Sequence, residues 1–394
     1  MLKVIKNTNV YAPEFLGKKD VLIAGDRIVT IENSINLSGV DFDVIEGENT
    51  SCVPGLIDRH VHITGGGGEG GFSSSTPEVQ LGTLVQSGIT TVVGLLGTND
   101  IGRNTKNLLS KAKALREEGM NAYMLTGGYG YPSNTITGDL REDILFFEEV
   151  LGLKLAIEDH RSSYVTNEEL KRIASYTRVA SMLAKKKGFV HLHMGSGKNH
   201  YDQIYTVLEE TDFPISLFSP THINRTESLL EASVEFGLRG GLLDITTNTN
   251  TRTKDGTMTP AQALMYLLEK GVSIENITMS SDANGSLPSF DHEGQLNGLE
   301  VAGFEPTLQA LKDLVQGEHL PLEEALKPFT SNPAKGLGVG SDRGALLEGN
   351  YADFLLLDGD LNIRDVYING VAFMERYELT KTGVFETPFS GISK

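Results

Sequence analysis

The 394-residue sequence has a single cysteine, no tryptophan and few basic residues. The lone Cys52 excludes a disulfide within the chain. The 34 Lys and Arg against 52 Asp and Glu give a formal net charge of −18, which repels phosphate backbones and anionic lipids and argues against nucleic acid as a partner. No stretch approaches the roughly 18 uncharged apolar residues of a membrane span. The first residues lack the apolar core of a secretion signal, so we expect a cytoplasmic protein.

The middle of the chain alternates short apolar runs with segments long enough for helices. The run that leads to His62 and seven later runs give eight expected strands, the later ones at 90–96, 122–126, 151–157, 189–193, 215–220, 242–246 and 277–281. Thr166 and Glu169 form a capping-box pattern at the start of one intervening helix. Eight such units predict an α/β fold of the TIM-like (β/α)8 barrel type, with functional side chains at the carboxyl ends of the strands.

Both ends of the chain have the pattern of short strands and turns, in contrast to the middle. Strands are expected at 21–24, 27–31 and 41–45, and again at 352–357 and 363–368. Neither end can form a stable domain alone. We therefore predict a small β-sandwich domain formed from both termini, residues 1–53 and 337–394, attached to a barrel domain of residues 54–336.

Two histidines stand on the first predicted barrel strand, in the sequence Asp58-Arg59-His60-Val61-His62. Side chains alternate between the two faces of a strand, so His60 and His62 project on the same side, about 7 Å apart. That spacing allows two imidazoles to hold one cation. Because histidine pairs also occur by chance, a metal site requires further ligands from other strands.

The carboxyl ends of other predicted strands supply further nitrogen and oxygen donors. The fifth strand ends in His191 and His193, the sixth is followed by His222, and the eighth is followed by Asp282. These donors suit a divalent metal of the zinc type. Periodicity alone does not choose between His191 and His193, because they share a strand face. His160 is interpreted as a loop histidine.

Lys154 lies inside the apolar run 152–157. A bare ammonium there would cost several kcal/mol unless it is paired or neutralised. Carbon dioxide can convert a neutral lysine amine into a carbamate, whose two oxygens can bridge two metal ions. The alternative is a lysine that extends along its aliphatic stem to the mouth of the barrel. The residues alone leave both interpretations open.

The ordered set of motifs resembles the amidohydrolase superfamily. That superfamily has Asp-x-His-x-His on strand one, a lysine on strand four, histidines on strands five and six, and an aspartate at the end of strand eight. The resemblance covers essentially the whole chain and is greatest to members that hydrolyse isoaspartyl dipeptides. It includes the segments 63–69, 93–98, 125–129, 159–161, 193–195, 220–225 and 281–286.

The resemblance implies a binuclear metal centre. It implies two divalent ions, most readily Zn²⁺, with these ligands: His60, His62 and Asp282 on one ion, His193 and His222 on the other, and carbamylated Lys154 bridging both together with a hydroxide. Nitrogen and oxygen ligation suits zinc but leaves manganese, cobalt or iron open.

Charged residues on the loops that follow the strands predict a class of substrate. Arg161 and Arg225 offer two cations, Glu69 offers one anion, and Ser286 follows strand eight. A guanidinium matches a carboxylate, and a carboxylate matches an amine. We therefore expect a ligand with two carboxylates and one ammonium, which is the pattern of an isoaspartyl dipeptide. Each residue taken singly is also compatible with a solvated loop charge.

The resemblance implies a small-molecule peptide substrate and a mechanism. The bridging hydroxide would attack the β-linked amide, and Asp282 would accept its proton and return it to the leaving amine. Tyr129, just past strand three, would stabilise the oxyanion. Gly67 and Thr98 are added as substrate contacts by the resemblance alone.

Two other interpretations stay open. One is another amidohydrolase acting on cyclic or N-acyl amides, of the dihydroorotase or hydantoinase type. The other is a non-catalytic assembly protein of the same superfamily, although such proteins have lost metal ligands and all the expected ligand types are present here. The resemblance also implies a homo-oligomer, for which the family provides an octamer as an example.

Overall fold

The computed structural model describes residues 1–290 and 296–386. Its centre is a barrel of eight parallel strands, each hydrogen-bonded to the next in chain order. This arrangement confirms the predicted α/β fold of the (β/α)8 type. The barrel strands are β1 (Leu56–Val61), β2 (Ile89–Gly94), β3 (Asn121–Gly127), β4 (Val150–Ile157), β5 (Val190–Met194), β6 (Phe218–Thr221), β7 (Leu243–Thr246) and β8 (Ile277–Ser280).

The barrel closes between β1 and the residues that follow β8. The backbone amide of Asp282 donates to the carbonyl of His60 at 3.1 Å, and the amide of His62 donates to the carbonyl of Ala283 at 3.0 Å. These bonds lie at the carboxyl ends of the strands. They therefore place His60, His62 and Asp282 beside one another at the mouth of the barrel.

Helices lie between the strands and pack around the barrel. The predicted capping box is confirmed, since Thr166 and Glu169 each hydrogen-bond the backbone amide of the other. Among the described residues, no helix has the length and apolar content that crossing a membrane requires. The α-helices span Leu81–Gln86, Thr105–Glu117, Leu140–Phe146, Asn167–Leu183, Asp202–Glu209, Glu227–Leu238, Pro260–Glu269, Glu305–Lys312, Leu322–Leu326 and Ser331–Leu337.

Strand β6 begins later than the predicted segment 215–220. The residues Ile215–Leu217 form a turn of 3₁₀ helix instead. Pro214 precedes the turn with a fixed φ, and its carbonyl accepts the amide of Leu217 at 2.9 Å. The strand therefore starts at Phe218 and ends directly before His222.

Within the described residues, both ends of the chain contribute to one sheet of nine strands. Ser51–Pro54 pairs antiparallel with Phe354–Leu357, and only Gly55 separates Ser51–Pro54 from β1. The predicted β domain built from both termini is confirmed, whereas its exact limits stay a prediction. The nine strands are Leu2–Tyr11, Phe15–Ala24, Arg27–Glu32, Asp43–Glu46, Ser51–Pro54, Phe354–Leu357, Ile363–Ile368, Val371–Glu375 and Glu378–Leu379.

The two faces of the terminal sheet contribute to different cores. Phe354 and Leu356 pack in a cluster within the terminal domain, where the ring of Phe354 stacks on Tyr367 with centroids 4.6 Å apart. The alternate residues Leu355 and Leu357 join the core around the barrel. Strand alternation thus gives the sheet a core of its own and also fixes it to the barrel.

Two antiparallel ribbons, which were not predicted, follow the last two barrel strands. Thr251–Thr253 pairs with Gly256–Met258 after β7, and Ser286–Phe290 pairs with Leu296–Val301 after β8. Because both ribbons follow carboxyl strand ends, they lie at the mouth of the barrel.

Candidate metal centre and substrate cavity

Three side chains meet at the barrel mouth, one from β1, one from the residue directly after β1 and one from the loop after β8. Oδ1 of Asp282 lies 3.2 Å from Nε2 of His60 and 3.1 Å from Nε2 of His62. These donor atoms all lie within 4.8 Å of one another, so a single cation could contact all three. Asp282 has a φ of +56°, which costs a non-glycine residue about 1–3 kcal/mol and is typical of functional sites.

His222 connects this group to His193. Its ring centroid lies 4.7 Å from that of His60 and 4.6 Å from that of His193. Its Nδ1 is 3.9 Å from Oδ2 of Asp282 and 2.6 Å from Oγ1 of Thr246. Like Asp282, it has a left-handed backbone, with a φ of +62°. The histidines predicted as ligands therefore form one continuous cluster with Asp282.

Lys154 lies beneath this cluster. Its Nζ is 3.5 Å from Nε2 of His60, and its side chain is fully buried. In the described part of the chain, no carboxylate lies within ion-pair distance of it. Burial lowers the pKa of Lys154 to about 7. The amine thus does not extend to solvent. At neutral pH a large fraction of it is uncharged, and the uncharged amine is the form that reacts with carbon dioxide.

The buried histidines are in the protonation state that binds metal. Burial lowers the pKa of His60 to about 3 and holds the pKa values of His193 and His222 well below their usual range. Neutral imidazoles offer lone pairs to a metal ion. Uncharged nitrogen donors that converge on one ionised carboxylate fit divalent cations of the zinc type.

His193 has a partner at each ring nitrogen. Its Nε2 lies 2.9 Å from Oδ2 of Asp159, and its Nδ1 lies 2.7 Å from the hydroxyl of Tyr129. Burial raises the pKa of Tyr129 well above its usual value, so the phenol stays a hydrogen-bond donor. Burial alone would also raise the pKa of Asp159, but hydrogen bonds from Arg161 and His193 outweigh it and keep the carboxylate ionised.

A cavity of about 650 Å³ opens above the cluster. Its volume suits a small ligand. Its wall contains Tyr129 and all six residues predicted to bind substrate: Gly67, Glu69, Thr98, Arg161, Arg225 and Ser286. The wall also contains residues that were not predicted, from the end of β7 and the ribbon after it: Asn248, Thr249, Asn250, Arg252 and Thr257.

The charged residues of the cavity differ in how they are paired. Oε1 of Glu69 accepts hydrogen bonds from Oγ1 of Thr98 at 2.9 Å and from Nη1 of Arg161 at 3.2 Å. Within the described residues Arg225 has no ion pair, and its buried Nε has no hydrogen-bond partner. His160 also lines the cavity, and its side chain is 87% exposed, as expected for a loop histidine.

The sequence pattern of the amidohydrolase family matches residues 52–373. The chain belongs to the amidohydrolase family. A solved structure of the beta-aspartyl dipeptidase of Fervidobacterium islandicum AW-1, in complex with beta-Asp-Leu dipeptide, is similar to it with a TM-score of 0.88. The two sequences are 38% identical, and the likeness covers 97% of this chain and 99% of that one.

Sequence relatives of this amidohydrolase have other substrates in their names. Adenine deaminase 2 of Shouchella clausii is 25% identical over 384 residues, which are 94% of this chain and 58% of that protein. A dihydroorotase of Endomicrobium trichonymphae is 24% identical over 378 residues, covering 86% of this chain and 85% of its own length. The chain thus spans 58–61% of the length of the adenine deaminases it matches. Together these findings place the chain in the amidohydrolase family and leave its substrate open.

Proposed function

We propose that this amidohydrolase cleaves the β-linked amide bond of isoaspartyl dipeptides. The proposal depends on the cavity above the metal cluster, whose wall contains the carboxylate of Glu69 and the guanidinium groups of Arg161 and Arg225, in addition to Asp282 of the cluster and Arg252 of the ribbon after β7. A β-aspartyl dipeptide carries one ammonium and two carboxylates, the charges that these groups match. The likeness over 97% of the chain to a beta-aspartyl dipeptidase supports the proposal. An uncharged purine would offer no charge to these groups, and Arg225, which has no ion pair within the described residues, would stay without one.

The substrate is bound by groups that the fold already holds in place. Thr98 fixes one carboxylate oxygen of Glu69, and we assign the α-ammonium of the substrate to this carboxylate. We assign the two substrate carboxylates to Arg161 and Arg225, with the hydroxyl of Ser286 as an additional donor and Gly67 giving room for close approach.

Proton transfer is assigned to Asp282. Burial alone would raise the pKa of Asp282, but His222, His60 and His62 outweigh it and hold the pKa well below the usual range. Its carboxylate is therefore ionised at neutral pH. Oδ2 can accept the proton of the attacking water and return it to the leaving nitrogen. The hydroxyl of Tyr129 stays protonated and can donate to the carbonyl oxygen as negative charge develops there.

Two bound divalent ions would polarise the scissile carbonyl and lower the pKa of a water molecule towards neutrality. Their proposed ligands are the residues of the cluster, namely His60, His62, His193, His222, Asp282 and carbamylated Lys154.

A panel of substrates tests the proposal with zinc-loaded protein. The panel contains β-aspartyl and α-aspartyl dipeptides, dihydroorotate, adenine and N-acyl amino acids, with chelated protein as the control. We expect kcat/KM for β-aspartyl dipeptides to exceed the other values by about 100-fold or more. If the protein converts dihydroorotate or adenine but not β-aspartyl dipeptides, its activity is that of a dihydroorotase or an adenine deaminase and the proposal fails. A protein that purifies without stoichiometric metal and turns over nothing would be an assembly protein.

We also propose that the protein forms a homo-oligomer, as its family resemblance implies. The helix Asn167–Leu183 exposes half or more of the side chains of Val179, Met182 and Leu183. Adjacent exposed apolar side chains of this kind are typical of contacts between proteins. Light scattering on the purified protein tests this proposal, and the mass of a monomer would contradict it.

A further inference from the structure

Asp159 joins two parts of the site that have different tasks. Its Oδ2 accepts hydrogen bonds from Nε2 of His193 at 2.9 Å and from Nη2 of Arg161 at 2.8 Å. Its Oδ1 accepts from Nε and from the backbone amide of Arg161, at 2.9 Å and 2.8 Å. The residue is only 4% exposed, so these charge-assisted bonds are shielded from water.

We propose that Asp159 is a positioning residue. Its single carboxylate orients both a proposed metal ligand, His193, and a proposed substrate-binding residue, Arg161. The part that concerns Arg161 rests on the proposed function. The part that concerns His193 requires only that the cluster binds metal.

The contact with His193 selects one tautomer of the ring. A neutral imidazole carries a single N–H, and the carboxylate of Asp159 accepts it from Nε2. Nδ1 then keeps its lone pair, which accepts the hydroxyl of Tyr129 at 2.7 Å in this structure and would be free for a metal ion when that hydroxyl donates to the substrate carbonyl instead. Asp159 therefore presents Nδ1 of His193 as the atom that can bind a metal ion, which is the usual effect of a carboxylate behind a ligating histidine.

The contact with Arg161 fixes the plane of the guanidinium. Nε and Nη2 form a bidentate pair with the two oxygens of Asp159. Nη1 is left facing the cavity, where it lies 3.2 Å from Oε1 of Glu69. A substrate carboxylate therefore meets an arginine whose orientation is already set, which reduces the entropy lost on binding.

The backbone at Gly195 allows His193 and Asp159 to approach this closely. A Cβ atom on Gly195 would lie 2.1 Å from the carbonyl oxygen of Glu158 and 2.4 Å from Cα of Asp159. Only glycine lets the residues after β5 approach the loop after β4 this closely. Glu158 itself adopts a φ of +54°. The position of Asp159 against His193 therefore depends on the absence of a side chain at Gly195.

The variant Asp159→Asn tests the proposal against Glu158→Gln as a matched control. Glu158→Gln removes the same charge from the neighbouring residue, whose carboxylate accepts the amide of Asn199 at 3.0 Å and contacts neither His193 nor Arg161. Both proteins are loaded with Zn²⁺, and the affinity for the more weakly held ion is measured by competition with a chelator. We expect about 10- to 100-fold weaker binding in Asp159→Asn and no change in the control. Equal affinities would overturn the part that concerns His193.

Kinetics test the part that concerns Arg161. The substrates are a β-aspartyl dipeptide and two analogues, each with one carboxylate amidated. In Asp159→Asn we expect KM for the dipeptide to rise about tenfold, and the rise to disappear for the analogue that lacks the carboxylate bound by Arg161. The same rise for all three substrates would overturn this part. If the wild type cleaves none of them, the proposed function fails, and the zinc measurement still decides the role of Asp159 behind His193.

A measurement on the wild-type protein covers the case in which Asp159→Asn does not fold. Long-range ¹H–¹⁵N NMR of histidine-labelled metal-free protein reports which nitrogen of His193 carries the proton. We expect protonated Nε2. Protonated Nδ1 would overturn the proposal without any variant.

Discussion

Nε2 of His191 lies 3.0 Å from Nδ1 of His60 inside the barrel. His191 shares a strand face with His193 but lies one layer deeper, in register with Lys154 on the neighbouring strand. Its contact turns Nε2 of His60 towards Asp282 and Lys154. The structure therefore agrees with the interpretation of His191 as a deeper barrel residue, and this histidine orients a candidate ligand from behind.

Replacing Asp282 by asparagine should remove most turnover. The amide keeps the shape of the side chain but cannot accept the proton of the attacking water, so we expect kcat to fall about 10²- to 10⁴-fold. Part of the metal should remain bound, because the imidazole ligands are unchanged. Steady-state kinetics and metal analysis measure the two effects, with the exposed Asp41→Asn as control. Near wild-type turnover would contradict the proposed mechanism.

Replacing Glu69 by glutamine should act only on substrates with a free amine. The amide can keep the hydrogen bond from Thr98 but carries no charge for an ammonium. We expect KM for a β-aspartyl dipeptide to rise about tenfold or more, with little change for its N-acetylated form. Glu78→Gln is a suitable control, since Glu78 is 58% exposed and pairs with Lys111. An equal effect on both substrates would argue against Glu69 as the ammonium site.

Replacing Lys154 by alanine should cause loss of both metal and activity. The variant removes the proposed bridging group and leaves a space beside His60, where Nζ lies 3.5 Å from Nε2. Formate, acetate or propionate should restore part of both, because each supplies a carboxylate of suitable size. The same acids given to the wild type form the control. Full activity in the variant without any added acid would remove the carbamate from the mechanism.

Reactivation of metal-free protein should depend on pH near neutrality. Burial lowers the pKa of Lys154 to about 7, and only the neutral amine reacts with carbon dioxide. Below about pH 7 the amine is mostly protonated and above it mostly neutral. At fixed dissolved carbon dioxide and zinc, the reactivation rate should therefore rise up to about pH 8 and then level off. A lysine with an ordinary pKa of about 10.4 would instead give a rate that still rises tenfold per unit above pH 8.

Asp20 should stabilise the terminal domain in a pH-dependent way. Burial alone would raise its pKa, but hydrogen bonds from Lys6 and from the amides of Ile35 and Asn7 outweigh it, so the pKa is lowered. Because the unfolded pKa of about 3.9 is higher, the stabilisation is complete above that pH and is lost as pH falls through the folded pKa.

The variant Asp20→Asn checks this stabilisation by denaturant unfolding. It should lower the free energy of unfolding by about 1–3 kcal/mol at neutral pH, and by less in acid. The exposed Asp26→Asn should have little effect at either pH. If the free energy of unfolding of Asp20→Asn is lower than that of the wild type by the same amount at neutral and at acid pH, the pH-dependent stabilisation by Asp20 is contradicted.

The barrel and the cluster could be predicted because both follow from strand geometry. His60 and His62 are two residues apart on an apolar strand, so they must share a face. His222 and Asp282 follow the predicted strands 215–220 and 277–281, so they are expected at the same end of a parallel barrel. The predicted start of β6 was wrong, because periodicity does not distinguish an apolar 3₁₀ turn from a strand. Pro214 was the signal against the longer strand.

Other parts of the site depend on contacts between distant segments. Arg161 was predicted to bind a substrate carboxylate, which stays a prediction. Its pairing with Asp159 through two nitrogens was not predicted, because that arrangement requires the close approach allowed by Gly195. The ribbon that contains Arg252 has strands of three residues, which are too short for alternation to be detected. The pair Asp255-Gly256, a hairpin signal, was the feature that could have revealed it.

The pairing of Ser51–Pro54 with Phe354–Leu357 has a consequence for synthesis of the chain. An emerging polypeptide must carry an open β edge next to its first barrel strand until the complementary segment leaves the ribosome, some three hundred residues later. Open edges of this kind invite pairing with other chains. We infer that a nascent chain stalled before residue 354 is more prone to aggregate than the released protein.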